Sequence, residues 1–436
     1  MTYHKQILRI AVPAIVTNIT VPLLGLVDSA IVGHMGDAAY IGAVAVGSMI
    51  FNLVYWLFGF LRMGTSGLTA QAYGRGDLAE GARLLVRSGF VALSVALALL
   101  VLQWPLCQLM LWLIGPTPDV RPLASTYFHI VVWGAPASLG LFSLTGWFIG
   151  MQNTRIPMLV SILQNVVNIV ASLLLVYGLG MKVEGVAIGT VIAQYAGLTV
   201  ACLKVKSGKW RVNGEMFRRL WCSPSTLHLP PSTMKTYCDI FLRTLCLVAV
   251  NLYFTAAGAR QGAIILAVNT LLLQLYLLFS YVMDGFAYAG EALCGRYWGA
   301  DDRASFRAVV CRLFGWGAVM TLLFSAVYVS GGMPFLQLLT DEPSVVEASR
   351  AYVWWAYLIP LAGVAAFVWD GVFIGVTATR GMLLSSAVAA AVFFLGTTLL
   401  TTNMENHGLW LSMILYLLTR GVVQTMIYFF SLADKQ

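Results

Sequence analysis

Charged residues are scarce in this sequence. Only 10% of its 436 residues are Asp, Glu, Lys or Arg, and 59% are hydrophobic, whereas an ordinary soluble domain has roughly 25% and 45–50%. This composition excludes a soluble globular protein. Enzyme motifs are also missing, since no Walker loop, HExxH, GxSxG or cluster of His and carboxylate residues occurs. We therefore expect an integral membrane protein that is not an enzyme.

Cysteine patterns that would indicate disulfide bonds or a zinc site are missing as well. The seven cysteines are scattered, mostly within hydrophobic segments, and no CxxC pair or His cluster accompanies them. We predict that they are packing residues and that the protein holds no metal.

Hydrophobic segments long enough to cross a membrane occur along the whole chain. A transmembrane helix needs about 20 apolar residues to span about 30 Å of hydrocarbon. We predict an all-α protein with twelve such helices, near residues 7–32, 41–72, 82–112, 122–150, 156–179, 185–205, 236–258, 262–297, 304–331, 347–375, 381–401 and 408–431. The first segment has no cleavage pattern after a short apolar core, so we interpret it as a retained helix rather than a signal peptide.

The basic residues indicate the orientation in the membrane. With a cytoplasmic N-terminus, most Lys and Arg fall in inner loops, and the outer loops hold only Arg121, Lys182, Arg260 and Arg350. The positive-inside rule then places both termini in the cytoplasm, and we expect a multi-pass protein of the inner (plasma) membrane, surrounded by lipid. Because topology accounts for the net charge of +8, that charge does not indicate nucleic acid as a partner.

One long polar connection divides the chain into two halves. It is basic and contains a Pro pair, as expected for an interdomain linker. We predict a first bundle at 1–205, a cytoplasmic linker at 206–235 and a second bundle at 236–436.

The two halves contain matching segments. WFIGMQNTRIPM at 147 matches VFIGVTATRGML at 372, and GLTAQAYGRGD at 67 matches ALCGRYWGADD at 292; both pairs lie 225 positions apart. Two six-helix bundles made by duplication have the same orientation and are related by a pseudo-two-fold axis along the membrane normal, as in many secondary transporters. The alternative is that Gly-rich helices resemble each other by composition alone.

Four segments carry a resemblance to a known family. They are PLLGLVDSAIVGHMG in the first helix, MGTSGLTAQAYGRGD at the end of the second, DGFAYAGEALCGRYWGADD in the eighth and FVWDGVFIGVTATR in the tenth. Over nearly its whole length the chain resembles the multidrug and toxic compound extrusion (MATE) family, within it the DinF-type branch. The resemblance implies efflux of cationic or amphipathic compounds in exchange for protons or sodium ions, with no other cofactor. We expect a monomer.

Asp28 is the strongest candidate for the coupling-ion site, because it is an acid in an otherwise apolar helix. An ionised side chain at the bilayer centre costs on the order of 3 kcal/mol or more, so such residues usually face a cavity or a partner. Burial favours the protonated form of a carboxyl group, which a proton gradient could load and unload. The alternative is an acid near the helix end with its carboxylate in water. Pro13 and Pro22 on the same helix permit a bend, and we predict a hinge there.

The resemblance implies neighbours for Asp28. In the family, an Asp of the first helix works with an Asn and often an Asp on the fifth helix, and with a Thr on the sixth. Asn168 and Thr190 match the Asn and the Thr, but Ser172 stands where the second Asp is expected. Sodium needs several oxygen ligands and a proton needs one basic group, so we favour protons. The alternative role of Asn168 and Thr190 is hydrogen bonding between helices.

The second half contains its own acids within predicted helices. Asp370 matches an acid that some relatives use in the C-terminal lobe, and with Asp284 it predicts a site for a proton, a sodium ion or a cationic substrate. We expect Arg420 to pair with an acid across the bundle. Asp239 and Arg243 have i,i+4 spacing, which predicts an ion pair that stabilises the start of their helix.

Two other transport functions remain open. One is sodium-coupled drug efflux, and the other is a flippase for a lipid-linked saccharide, whose diphosphate would require a more basic central cavity. In the predicted helices the acids outnumber the bases, which favours the cation-coupled exporter.

Overall fold

The structure, a computed structural model, describes residues 2–33, 37–207, 228–340 and 342–432. These ranges are helices and short connections, without a β-strand. Most of the predicted linker at 206–235 lies outside the described residues.

The first half contains α1 to α9. They are Tyr3–Gly33, Ala38–Leu57, Phe60–Gly74, Leu78–Val101, Gln103–Ile114, Val120–Val131, Ala135–Gly150, Arg155–Leu173 and Val183–Ser207. A 3-10 turn at Val132–Gly134 joins α6 to α7, and a π-helical turn at Leu174–Gly178 continues α8.

The second half contains α10 to α14. They are Pro231–Arg260, Ala263–Gly299, Arg303–Leu339, Pro343–Gly375 and Thr379–Ile427, with a π-helical turn at Tyr428–Leu432 after the last. Helix α14 is interrupted at Glu405, whose φ of 48° and ψ of −125° are not helical. Two of the predicted spans, 381–401 and 408–431, lie on either side of this residue.

The helices agree with the predicted membrane spans. Ten segments of the described residues are long and apolar enough to cross a membrane, one of them being the 53-residue segment Thr379–Ser431 that is interrupted at Glu405. Helix α1 has 31 residues and contains the first predicted span. Large apolar side chains on the outer faces are exposed, such as Val101, Leu322 and Leu399. Hydrocarbon can cover such faces, since a membrane helix needs no polar exterior.

Three predicted spans are each formed by two helices. In the predicted span 122–150, the 3-10 turn at Val132–Gly134 separates α6 from α7. The chain turns at Phe58 and Gly59 between α2 and α3. There, backbone hydrogen bonds between residues three apart replace the α-helical bonds between residues four apart. It breaks again at Leu102 between α4 and α5, close to Pro105. Proline has no amide hydrogen and its ring clashes with the carbonyl one turn earlier, so the helix cannot continue unbroken through this position.

The chain divides into two compact units. The first unit is Val16–Met234, and the second combines Met1–Ile15 with Lys235–Gln436. The division falls near residue 235, and the predicted linker bounds stay a prediction. The first residues of α1 differ from the predicted bounds, because they pack with the second unit: Gly285 of α11 lies against Ile15 and the carbonyl oxygen of Ala11.

Each unit has a densely packed interior. In the first unit the rings of Phe51 and Phe128 stack with centroids 5.1 Å apart, and the Trp147 indole donates to the Gly81 carbonyl at 2.9 Å. In the second unit α13 is buried along most of its length between α11, α12 and α14. Polar residues on this central helix are therefore removed from solvent.

The close helix contacts are the same in both halves. A Cβ atom at Gly150 would lie 2.7 Å from the Ser66 oxygen and 2.9 Å from the Ala70 nitrogen. At Gly375, 225 positions later, it would lie 2.9 Å from the Glu291 oxygen and 2.8 Å from the Gly295 nitrogen, which again are 225 positions after Ser66 and Ala70. Only glycine allows such an approach of two backbones. A second equivalent pair consists of Gly146 against the Arg62 carbonyl and Gly371 against the Ala287 carbonyl.

The turns that end the matched helices are also equivalent. Gln152 and Thr377 both have positive φ, at 63° and 56°, and so do Gly76 and Asp301, at 74° and 56°. In the first pair the same backbone bond closes the turn, from Asn153 N to Phe148 O and from Ala378 N to Phe373 O, both at 2.9 Å. This is the Schellman motif, in which a left-handed residue ends a helix. Shared contacts and turns at one offset support duplication over resemblance by composition.

Candidate functional site

Asp28 lies in α1, within the first unit, and is only 4% exposed. Its Oδ1 atom is buried and has no hydrogen-bond partner in the part of the chain that the structure describes. A buried polar atom without a partner is costly and therefore uncommon in folded proteins. The buried position does not agree with the alternative of an interfacial acid in water.

Asn168 and Thr190 lie together, and their proposed part in ion coupling stays a prediction. The Asn168 Nδ2 atom on α8 donates to Thr190 Oγ1 on α9 at 3.0 Å, and the Thr190 hydroxyl donates to the Val186 carbonyl at 3.0 Å. Asn168 is fully buried, and its Oδ1 atom lacks a partner among the described residues. The pair therefore joins two helices and still presents a free acceptor.

Ser172 lies one turn after Asn168 on α8 and is also fully buried. It packs against Gly189, where a Cβ atom would meet the Ser172 hydroxyl and lie 2.9 Å from the Ser172 backbone nitrogen. The Ser172 hydroxyl has no partner within the described ranges. Helices α8 and α9 thus approach each other closely beside the position where the family pattern has a second acid.

Tyr127 on α6 belongs to the same cluster, although no sequence motif pointed to it. Its ring packs over Gly47 of α2, and its hydroxyl lies 3.4 Å from Ser48 Oγ. The hydroxyl is also close enough to interact with the Asp28 carboxylate and the Thr190 side chain. A buried tyrosine hydroxyl usually needs a polar partner. This general requirement was the only evidence in the sequence for a role of Tyr127.

The two prolines predicted as a hinge lie within one helix. Helix α1 is continuous from Tyr3 to Gly33 and so contains both Pro13 and Pro22. Pro13 lies in the part of α1 that packs with the second unit, and Pro22 in the part that belongs to the first. Their role as a hinge stays a prediction.

A second polar cluster lies inside the second unit, around Asp370 of α13. Its Oδ2 atom accepts hydrogen bonds from Arg243 Nη2 on α10 and from Arg420 Nη2 on α14, the latter at 2.6 Å. Its Oδ1 atom accepts from Gln424 Nε2 at 2.7 Å. All four side chains are buried. The predicted pairing of Arg420 with an acid across the bundle is confirmed.

The predicted pair of Asp239 and Arg243 is not formed. Arg243 pairs with Asp370, and the Asp239 carboxylate accepts from the Thr379 hydroxyl at 2.8 Å. The i,i+4 spacing permits an ion pair on an exposed helix face, but this face is buried. A buried charge needs a well-placed partner, and here the partners lie on neighbouring helices.

The acids predicted as a cation or substrate site in the second unit have different surroundings. Both oxygens of Asp370 are engaged, so a cation would have to displace one of its partners. Asp284 on α11 is half-buried, and its Oδ2 atom lies 3.4 Å from the Ser280 hydroxyl. The binding roles of Asp284 and Asp370 stay predictions. The described residues contain no group of three or more His, Cys, Asp or Glu side chains that could hold a metal ion.

Comparison with known proteins identifies relatives of the whole chain. The MatE family model matches residues 13–174 and again residues 240–399, once in each half. The DNA damage-inducible protein F of Escherichia coli K12 is 40% identical over 424 residues, covering 96% of this chain and 90% of that protein. A probable multidrug resistance protein NorM of Thermotoga maritima is 23% identical over 362 residues, covering 80% and 74%.

Solved structures of MATE transporters have the same fold. A MATE crystal structure in the bent conformation superposes with a TM-score of 0.86 at 18% identity, covering 98% of this chain and 94% of that one. The bent form of the Vibrio cholerae transporter VcmN gives 0.85 at 19% identity, covering 99% and 98%. The predicted twelve-helix, two-bundle membrane fold is confirmed. The two family-model matches and the 40% identity show that this chain belongs to the MatE, or multidrug and toxic compound extrusion, family.

Proposed function

We propose that the protein exports small molecules across the inner membrane in exchange for protons. Membership of the MatE family supports transport, and the name of the Thermotoga maritima relative, a probable multidrug resistance protein, supports a drug-like cargo. The proposed substrates are cationic or amphipathic compounds. We also propose that the protein is a monomer and that both of its termini lie in the cytoplasm.

The observation that carries the proton assignment is the environment of Asp28. This carboxyl group is buried in the first unit with an unpartnered Oδ1, and its charge interacts with the Tyr127 hydroxyl. Protonation removes the charge that makes burial expensive and adds an O–H donor. The buried Oδ1 of Asn168 is a free acceptor in the same cluster. One carboxyl group among neutral side chains therefore suffices for a proton.

The same environment is poorer for sodium. Hard cations are bound by several oxygen ligands, of which carboxylates neutralise the charge. The neighbours here are an amide, two hydroxyls and the Tyr127 phenol, so Asp28 supplies the only negative charge among them. Ser172 in place of a second acid lowers the charge available to a bare cation.

Coupling then follows from the cost of burying charge. An ionised Asp28 favours a conformation in which water reaches the carboxylate, whereas the protonated form favours burial. A proton taken up from outside and released inside would alternate between these states, and the segment of α1 from Pro13 to Pro22 would accommodate the movement. Substrate would be exported when the protein returns from one of these states to the other.

The experiment measures efflux from proteoliposomes under an imposed proton or sodium gradient, with a cationic and an anionic fluorescent dye assayed in parallel. We expect a proton gradient to drive efflux and a sodium gradient to have little effect. The Asp28→Asn variant should insert and fold but lose proton-driven efflux, and Asp28→Glu should keep part of it.

The matched control is Asp37→Asn. Asp37 is an exposed residue that caps α2 through a 2.9 Å bond to the Ala39 amide, a role that Asn can also fill. Wild-type efflux by Asp28→Asn under a proton gradient would reject Asp28 as the coupling site. Efflux driven equally well by sodium would favour the sodium-coupled alternative.

A further inference from the structure

We propose that the arginine pair Arg243 and Arg420 in the second unit binds an acidic group, such as a carboxylate or sulfonate, of an amphipathic substrate. This inference rests on the proposed function only in that the bound molecule is transported. It concerns the second polar cluster, which the proton assignment does not use.

Positive charge exceeds negative charge in this cluster. Two guanidinium groups share one carboxylate, because Arg243 and Arg420 both donate to the same Oδ2 atom of Asp370. The fourth member, Gln424, is neutral. Two other acids lie in the region. Asp239 on α10 is engaged by the Thr379 hydroxyl, and Asp284 on α11, which interacts with Tyr276, is half-buried beside the Ser280 hydroxyl. Buried charges are stable when they are paired, and within the described ranges Asp370 is the one carboxylate that forms an ion pair with Arg243 or Arg420.

The cluster also contains hydrogen-bond donors that are not used. Each arginine gives one nitrogen, Nη2, to Asp370, and the Nε atoms of both are buried without a partner among the described residues. The buried hydroxyl of Tyr416 is likewise unpartnered there. An oxyanion accepts several hydrogen bonds at once, and its bonds with guanidinium groups are strong because both partners are charged.

Aromatic rings lie beside the two arginines. The Arg420 guanidinium lies over the Tyr416 ring, 5.6 Å from its centroid. Tyr276 is near both arginines, and its ring contacts that of Phe367 at 6.4 Å between centroids. An acidic headgroup at the arginines would place an aromatic or alkyl body against these rings. The ligand class is therefore an acidic amphiphile.

A cation fits the cluster less well. Both oxygens of Asp370 already accept hydrogen bonds, and two guanidinium groups would repel a second positive charge. Asp370 thus holds the arginines in place and partly neutralises them.

The test measures binding to the full-length protein in nanodiscs of neutral phosphatidylcholine. The probes are two dansyl compounds with the same alkyl chain, one ending in a carboxylate and the other in a trimethylammonium group, followed by fluorescence anisotropy. We expect the carboxylate probe to bind wild type about tenfold more tightly, the effect of one or two charge-assisted hydrogen bonds.

The variants distinguish ligand binding from a purely structural role. Arg420→Gln should lower the affinity for the carboxylate probe by about tenfold. Asp370→Asn should raise this affinity severalfold, because the substitution removes the competing anion and leaves both arginines. Arg350→Gln is the control, since Arg350 is exposed and pairs only with Glu347 on the surface. If Arg420→Gln does not fold, Arg420→Lys and Asp370→Asn still decide the question.

Equal binding of the two probes to wild type would overturn the proposal, as would an unchanged affinity in both Arg420→Gln and Asp370→Asn. Binding is measured without any ion gradient, so failure here is separate from failure of proton coupling. The Asp28→Asn variant should bind the carboxylate probe normally while losing proton-driven efflux.

Discussion

Asn168 and Thr190 are joined across α8 and α9 by a 3.0 Å hydrogen bond, and the second amide atom of Asn168 is left buried and unpartnered. The bond fixes the orientation of the amide, so that Nδ2 faces Thr190 and Oδ1 is available to another donor. Thr190 therefore determines which atom of the Asn168 amide is available to a hydrogen-bond donor in the cluster around Asp28.

Thr190→Val should disrupt proton-driven efflux, because it preserves shape but removes the hydroxyl that orients Asn168. We expect a loss of about 1 kcal/mol in unfolding free energy, typical of one hydrogen bond between helices. Thr190→Ser keeps the hydroxyl and should retain most activity. Efflux in proteoliposomes and thermal unfolding together check this. Equal efflux by the Val and Ser variants would show that the bond is only structural or dispensable.

Gly146→Ala and Gly371→Ala should destabilise the two units to a similar extent. In each, the new methyl group would collide with a backbone carbonyl of a neighbouring helix, that of Arg62 or Ala287. Overpacking of this kind costs typically 1–3 kcal/mol. Gly315→Ala in α12 is the control, because nothing lies within 4 Å of its Cβ position. Thermal unfolding in nanodiscs measures all three, and a stable Gly371→Ala would contradict the equivalence of the contacts.

Asp302 should make the stability of α12 depend on pH. The Ser305 side chain and amide both bond to its carboxylate, and they lower the pKa of Asp302 below its ordinary value of 3.8. The native state therefore binds this proton less readily than the unfolded state. The stabilisation is complete above the unfolded pKa and is lost as pH falls through the lower, native one.

The measurement compares thermal unfolding of wild type and Asp302→Ala between pH 3 and pH 7. Wild type should be more stable near neutral pH, and the difference should shrink towards acid. Asp302→Asn, which still caps the helix, should stay close to wild type near neutral pH. A difference between wild type and Asp302→Ala that is constant with pH would contradict the ionised cap.

The topology predicts where fusions will be found. Reporter domains placed after residues 206 and 435 should both report the cytoplasm, because each half crosses the membrane an even number of times and basic residues favour the inner loops. A fusion in the loop at Lys182, predicted to be outside, provides the opposite signal. An external signal after residue 206 or 435 would contradict the orientation.

Sequence patterns predicted the parts of the fold that depend on local composition. The length of the apolar segments predicted the membrane spans, and the matching segments predicted the duplication. Both signals can be read from residues that are neighbours in the sequence. The family motif selected Asn168 and Thr190, which are hydrogen-bonded to each other, and their role stays a prediction. The break at Leu102 was missed because a long apolar run hides the effect of Pro105.

The parts that were missed depend on which helices become neighbours. Arg243 has an acid at the favourable i,i+4 position, yet its partner is Asp370, which is 127 residues away. Tyr127 joins the Asp28 cluster only because α6 packs beside it. Periodicity describes the face of one helix and does not identify the helix that covers it.

The glycine contacts and Schellman turns that the two halves share have a consequence for how such transporters can diversify. They are made by backbone atoms and by residues outside both polar clusters, so they tolerate changes in either cluster. The residue that corresponds to Asp370 in the first half is Thr145, 225 positions earlier. After duplication, one half could thus change the chemistry of its cargo while the other kept its source of energy.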